Sequence, residues 1–567
     1  MDKEQFESLN PEEQAKVFYQ ISFQERGDLF PYCHQPDILT RSLSPEELYL
    51  LTRELDRDEL SEVIRHANLD QLFFLSDIDC WKKDRISMER FGGWIHALVR
   101  SGSRNFIRWF EEMDYEMVVA GFKKIIRVMK PEWEYAVDEL LGDSHYFTID
   151  NMYYISVEEA DLETVKQAME QLFEHHRGKY VALLEGILNE LDDEIEEEAY
   201  RRREMRLAEH GFPNPETARH IYYPISREDF EKFPLKDRAR ESEPVAVAHY
   251  PRAWSETRLF LDDVLALLQG ESREILDGVR EELMWLSNKV IACEGIDLTS
   301  EERVRRGVER SRHMVNIGLE DLSGGDAAKA CDILKQRWLE VVFRWGSGVL
   351  QHLREDAWRI VHKYWKDDAK PCLGFLDKPY EGILQGILQG GGSKNFTPAG
   401  LPLCCDEASA DVPAFRDFRS LRDIETIRRG VLETELAHDF LQQTFPHLFD
   451  RLHLETKRGG MEGSLFSVCG TLFIWFVLDG SLSDRPVPAD KIRHFLEKGF
   501  LQGKEGKRLD SACRDKFLDH ILTPSGLELL QPFWERVFAA LESELSGLDP
   551  RKKIDPRYIS SVIIGMS

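Results

Sequence analysis

No stretch of this chain is apolar for long enough to cross a bilayer. The longest charge-free apolar run, Gly463 to Leu478, falls short of the ~20 residues a span needs, so it predicts a fully buried helix and no membrane insertion. Basic charge is also scarce: 74 Lys and Arg face 103 Asp and Glu, a formal net charge of −29. Phosphate contacts need a basic surface, so nucleic acid and anionic lipid are not the expected partners. The nine cysteines are scattered and form no C-x-x-C, the usage of a reducing compartment. Cys404-Cys405 reads as two incidental thiols. The opening residues MDKEQFESLNPEEQ lack a positive start followed by an apolar core, so the expectation is a cytoplasmic protein without a secretory signal.

Catalytic spacings are missing too. Gly390-Gly391-Gly392-Ser393-Lys394 lacks the order G-x-x-x-x-G-K-[ST], and Gly346-Ser347-Gly348 lacks the spacing that exposes a serine nucleophile. There is no H-E-x-x-H. Glu435-x-x-His438 has the spacing of a carboxylate-bridged di-iron ligand pair, but its nearest companion, Asp450-x-x-His453, puts Asp where Glu is needed. No catalytic residue and no cofactor follow from the sequence, and it leans away from an enzyme.

What is present is charge arranged for helices. Charged residues make up 31% of the chain, which favours helices with solvated faces, and 567 residues imply two to four domains. Near the N-terminus Leu9-Asn10-Pro11-Glu12-Glu13 returns as Leu43-Ser44-Pro45-Glu46-Glu47. Each copy places an Asn or Ser cap, Pro at the first helical position and Glu at the third, so each predicts a helix start within a repeat of stacked helices. Asp56 with Glu59 predicts the next start. Helical periodicity is expected over Arg85–Arg100, Ser103–Met113, Asp114–Met129 and Ala327–Trp365, and a short β-hairpin near 146–156. Lys232 to Trp254, charged and carrying three prolines, reads as a linker, and Gly390 to Ala414 as a loop.

The fold expected is all-α (mainly α): a helical-repeat N-terminal domain at 1–145, a middle segment with the hairpin and a long charged helix at 146–232, and a larger helical domain at 253–567. The organising landmark is Leu183 to Pro213, read as one helix. Seven acids stand between Glu190 and Glu198, and four arginines in the next eight residues. Such an acid run is ordinarily a solvated face; the alternative is weak divalent-cation binding by Glu194, Glu197 and Glu198, since hard cations take carboxylate oxygens. Arg203 and Arg206 lie three apart on one face and are expected to bridge to acids of a neighbouring domain or of a protein partner, with Phe212 and Tyr222 as the apolar contacts. The other possibility is an intramolecular clamp between the middle segment and the C-terminal domain.

The stretch EEEAYRRREMRLAEHGFP (Glu196 to Pro213), the Tyr153-Tyr154-Ile155 region and the run Phe473 to Gly480 together resemble an uncharacterised family of large bacterial proteins, a domain of unknown function. The resemblance implies a bacterial helical protein and brings no residue roles with it. The first hundred residues are, in addition, similar to the helical cytoplasmic domain of magnesium transporters, without the membrane part. The function expected is a helical scaffold or protein-interaction protein with an unidentified partner; the alternatives are a divalent-cation-responsive regulator and an enzyme with an unrecognised helical site.

Overall fold

Reciprocal capping starts the first helices. Asn10 Oδ1 accepts from Glu13 N at 3.0 Å while Asn10 N donates to Glu13 Oε2 at 3.1 Å, opening the helix Pro11–Phe18. Ser44 and Glu47 exchange the same two bonds, at 3.1 and 3.3 Å, ahead of Pro45–Thr52. Each exchange satisfies two N–H groups that an isolated helix end leaves bare. A third box, Asn68 with Gln71, starts Leu69–Asp79, and Gln71 Nε2 also donates to the carbonyls of Thr40 and Leu43 at 2.7 and 2.8 Å. Cap chemistry and packing are thereby joined in one side chain.

The computed structural model describes residues 3–18, 21, 23–52, 55, 57–131, 146–158, 161–236, 257–295, 300–388, 401–406, 414–457, 463–503, 506–522, 527–551 and 558–565. Asp56, the expected linker from 237 onward and most of the expected loop from Gly390 to Ala414 lie outside them. The chain is mainly α, with small strand pairs, and separates into two compact units, Met1–Arg344 and Trp345–Ser567.

In the first unit, Phe91, Trp94, Phe106, Trp109, Phe110 and Phe122 form an aromatic core, with Phe91 edge-on to Phe122 at 5.5 Å. The hairpin near 146–156 is present: Tyr146–Phe147 pairs antiparallel with Tyr154–Val157, and Asp150 Oδ1 accepts from the Met152 and Tyr153 amides in the turn. It gains a third strand the periodicity did not predict. The helix expected over Asp114–Met129 stops at Ile125, and Ile126–Met129 pairs with Tyr154–Val157. Ile126 and Val128 alternate inward, so two β-branched residues find burial in a sheet where a continued helix would turn them apart. Likewise Arg85–Ile86 is a strand against Trp81–Lys82, and the helix begins at Met88. Ala327–Trp365 is two helices, Ala327–Gln336 and Leu339–Trp365.

The landmark itself is not one helix. Arg177–Asn189 ends, Glu190 and Leu191 are extended, and Asp192–Glu209 begins anew. The break places Asp192, Asp193 and Glu194 in a first turn, where the helix dipole favours acids, whereas an unbroken helix would crowd seven of them in its middle. Leu191, which keeps helical spacing with Tyr180, Leu184, Ile187 and Ile195 and is thereby expected in a core-facing stripe, is 63% exposed. Gly211 followed by Pro213 predicts a helix stop, and it is in place: Gly211 has φ +81 and packs against Trp285, where a Cβ would collide with the indole.

The second unit is built around Leu465–Asp479, the apolar run, buried over nearly its whole length and ended by Gly480 at φ +72. Among the described residues no helix is long and apolar enough to cross a membrane. The C-terminal segment crosses this helix at Gly470: Ile563 N donates to Thr471 Oγ1 at 2.9 Å, and Ile564–Gly565 pairs in parallel with Val487–Pro488. A Cβ on Gly470 would run into the Ser561 carbonyl oxygen. Gly470→Ala is therefore expected to cost about 1–3 kcal/mol, the range for overpacking, and to release the segment from 558 onward. Hydrogen exchange at Ile563 and Val487 should rise in the variant; unchanged protection there would refute the crossing.

Candidate functional site

The landmark helix is bonded on one face to the first hundred or so residues. Arg206 holds Asp77 bidentately, Nε to Oδ2 at 2.7 Å and Nη2 to Oδ1 at 2.8 Å, and its Nη1 reaches Asp114. Arg203 donates from Nε to the Asp77 carbonyl oxygen at 2.6 Å, and its guanidinium lies over Trp81 and Tyr200, 5.3 and 5.7 Å from the ring centres. Both acids belong to the segment 1–145. Burial pushes the Asp77 carboxyl up in spite of Arg206, and pulls Arg203 down. Phe212 packs on Phe74, one turn from Asp77 on the same helix, at 5.9 Å. Tyr222 stands elsewhere, donating to Glu294 Oε1 at 2.6 Å with its ring against Phe343. The structure thus brings Arg203, Arg206 and Phe212 to one helix and leaves Tyr222 apart.

Of the acids, Glu194 is exposed, Glu197 pairs with Arg201 at 3.8 Å, and Glu198 pairs with Arg201 and Arg202 at 3.0 and 3.3 Å. Among the described residues no three His, Cys, Asp or Glu side chains are grouped to hold a metal ion. His438 is spent as a ligand: Nδ1 donates to the Thr434 carbonyl at 2.8 Å, and Nε2 accepts from Trp365 Nε1 at 3.1 Å. The acid that matters in the block is Glu196, which the charge pattern hid. It is buried, and takes Arg85 Nη1 at 2.8 Å, Lys124 Nζ at 3.1 Å and the Ile86 amide at 2.8 Å. Its signal was register: 196, 199, 203 and 206 repeat at three and four, one helix face.

A second site lies wholly in the second unit, and sequence reading named none of it. Ser420 caps the helix Leu421–Thr444, whose Gly430 lets Ile383 approach closely. One face of this helix carries Glu425, Arg428, Arg429 and Leu432, which form one wall of a cleft of about 940 Å³. Glu528 and Leu529 of the short 3-10 turn Leu527–Leu530, followed by Gln531, Pro532, Glu535 and Arg536 of the helix Gln531–Leu545, form the other. At the base Glu433 Oε2 accepts from the Tyr380 hydroxyl at 2.6 Å and from Arg536 Nη1 at 2.6 Å, and the same Nη1 lies 2.7 Å from the Tyr380 oxygen. Burial, then Glu433, raises the Tyr380 pKa, so it stays a neutral donor.

The walls combine apolar surface with charge. Leu432 and Leu529 are large exposed hydrophobics, the latter 61% open. Glu535 is paired with Arg514 and Arg536 with Glu433, but Arg428 and Arg429, both exposed, have no hydrogen-bond or ion-pair partner among the described residues. Carboxylates and guanidiniums over exposed leucines suit the recognition of a polypeptide. Among the described residues the lining includes no serine, cysteine or histidine to act as a nucleophile with its base.

A family of unknown function, DUF6178, matches the chain over residues 3–565. No curated protein and no solved structure matches it. The likeness of the first hundred residues to the magnesium-transporter domain is not supported.

Proposed function

Because the chain belongs to the family of unknown function DUF6178, membership brings no activity with it, and we propose from geometry that it is a helical interaction protein whose second unit offers the cleft between Leu421–Thr444 and residues 528–536 to a protein partner. The observation that carries this reading is the pairing of two unengaged arginines with two exposed leucines in one open cleft. Arginine is enriched at protein–protein interfaces, and the two leucines bring exposed apolar surface into the same cleft. Its place of action in this reading is the cytoplasm. The support is nine free cysteines, seven of them buried, with burial pushing the Cys372 and Cys404 thiols up to about 12.

A photo-crosslinking residue at Leu529 tests the reading in living cells, against the same residue at Leu267, an exposed leucine of the first unit. Adducts to a discrete protein from position 529, lost on Arg428→Glu with Arg429→Glu while thermal unfolding is unchanged, are expected. Equal adduct patterns from 529 and 267 would remove the cleft as a binding surface.

A further inference from the structure

We infer, on the footing of that interaction reading, that the cleft takes an acidic amphipathic helix of a partner protein, with an aliphatic anchor seated between Leu432 and Leu529 and carboxylates against Arg428 and Arg429. The argument begins with a pair that does not form. Glu425 precedes Arg428 by three residues and Arg429 by four, the spacings at which helix ion pairs ordinarily close, yet neither pair is made. Both guanidiniums are therefore free for acids brought from outside, in a chain whose net charge of −29 makes two adjacent unpaired arginines a local exception.

The rest of the cleft gives the occupant its shape. Arg536 and Glu433 neutralise each other at the base and Glu535 is held by Arg514, so these groups offer no spare charge of their own. Leu432 stands one turn from Arg428 and Arg429 on the same face, which sets the aliphatic anchor of the occupant one turn from its acids. An amphipathic helix meets this spacing with anchors at i, i+3 and i+4. Glu425 and Glu528, on opposite walls, disfavour acids placed beside them, so the occupant's carboxylates are confined to the two arginines.

The probes are two synthetic helical peptides that share one leucine face, one flanked by glutamates and one by lysines, titrated into the full chain by fluorescence anisotropy. The glutamate peptide is expected to bind at least tenfold more tightly, and Arg428→Glu with Arg429→Glu to reverse the order. Leu432→Asp, on the same wall, should weaken the glutamate peptide without reversing the order. Equal binding of the two peptides, or a preference that survives the double substitution, would overturn the inference; so would a doubling of mass in sedimentation that the substitution abolishes, which would make a second copy the occupant. Crosslinks from position 529 together with equal peptide binding would leave the interaction reading standing and remove only the acidic helix. Absence of those crosslinks removes the reading beneath it.

Discussion

Arg206→Leu is expected to destabilise the first unit by about 3–5 kcal/mol, the cost of removing one partner of a buried ion pair. Asp77 is 1% exposed and gives both carboxylate oxygens to this one guanidinium. Without it the charge faces Arg203, whose Nε is committed to the Asp77 backbone, and the more distant His210. Asp114, the other partner, is a quarter exposed and can rehydrate, so the loss centres on Asp77. The sign with pH follows. Burial already holds the folded-state pKa of Asp77 above the ordinary carboxylate value of 3.8, so the folded chain binds this proton more readily than the unfolded one, and the contribution of Asp77 to stability falls as pH rises between those two values. Losing Arg206 raises the folded value further and widens that window upward. The deficit of the variant should thus grow from acid toward neutral pH. Hydrogen exchange over 69–79 and 192–209, in parent and variant, measures it within this unit. Asp77→Leu added to Arg206→Leu should recover part of the loss, since an apolar pair leaves no orphaned charge. A change within about 0.5 kcal/mol, the range of a solvated surface residue, would show that the arginine face does not hold the unit together.

How much of this was legible depended on the distance over which the cause acts. Asn10, Ser44 and the Gly211 stop were readable because cap and turn chemistry is settled within four residues. The buried helix Leu465–Asp479 was readable because its apolarity is all-round. The break at Glu190 was not: apolar spacing runs on through Leu191, and what ends the helix is the better placement of three acids at a new N-terminus. Nor was the strand Ile126–Met129, whose partner lies about thirty residues on and whose alternation covers only four residues. The base of the cleft was beyond reach, since Tyr380, Glu433 and Arg536 stand 53 and 103 residues apart. A glutamate at 433, among the core-facing Gly430, Val431, Thr434 and Ala437, was the one local sign that a buried partner had to exist.

Acidification should act on the second unit through His438. The ring is fully buried, stacked on Phe449 at 5.3 Å and edged by Phe375 and Trp365. Its Nδ1–H is given to Thr434 and its Nε2 lone pair to the Trp365 N–H, so the neutral tautomer fills both positions. Protonation would set two donors against each other at Nε2. Burial accordingly pushes its pKa down from 6.5 to about 4. With the folded value below the unfolded one, the unfolded chain takes the proton first: the stability from neutral His438 is complete above 6.5 and is lost as pH falls from there to about 4. At 1.36 kcal/mol per pH unit that interval amounts to about 3 kcal/mol. Depressed carboxylates such as Asp439 and Glu544 have ordinary values of 3.8 and 4.5, so most of their loss falls on the acid side of this window. His438→Gln retains an N–H for Thr434 and a carbonyl for Trp365 but has nothing to titrate. The variant should therefore start less stable, for want of the stacked ring, and show a flattened dependence between pH 6.5 and 4. Exchange protection along 465–479, followed from pH 7 to 4.5, reads the difference. Equal slopes in parent and variant would mean that the acid sensitivity of this unit resides in other groups.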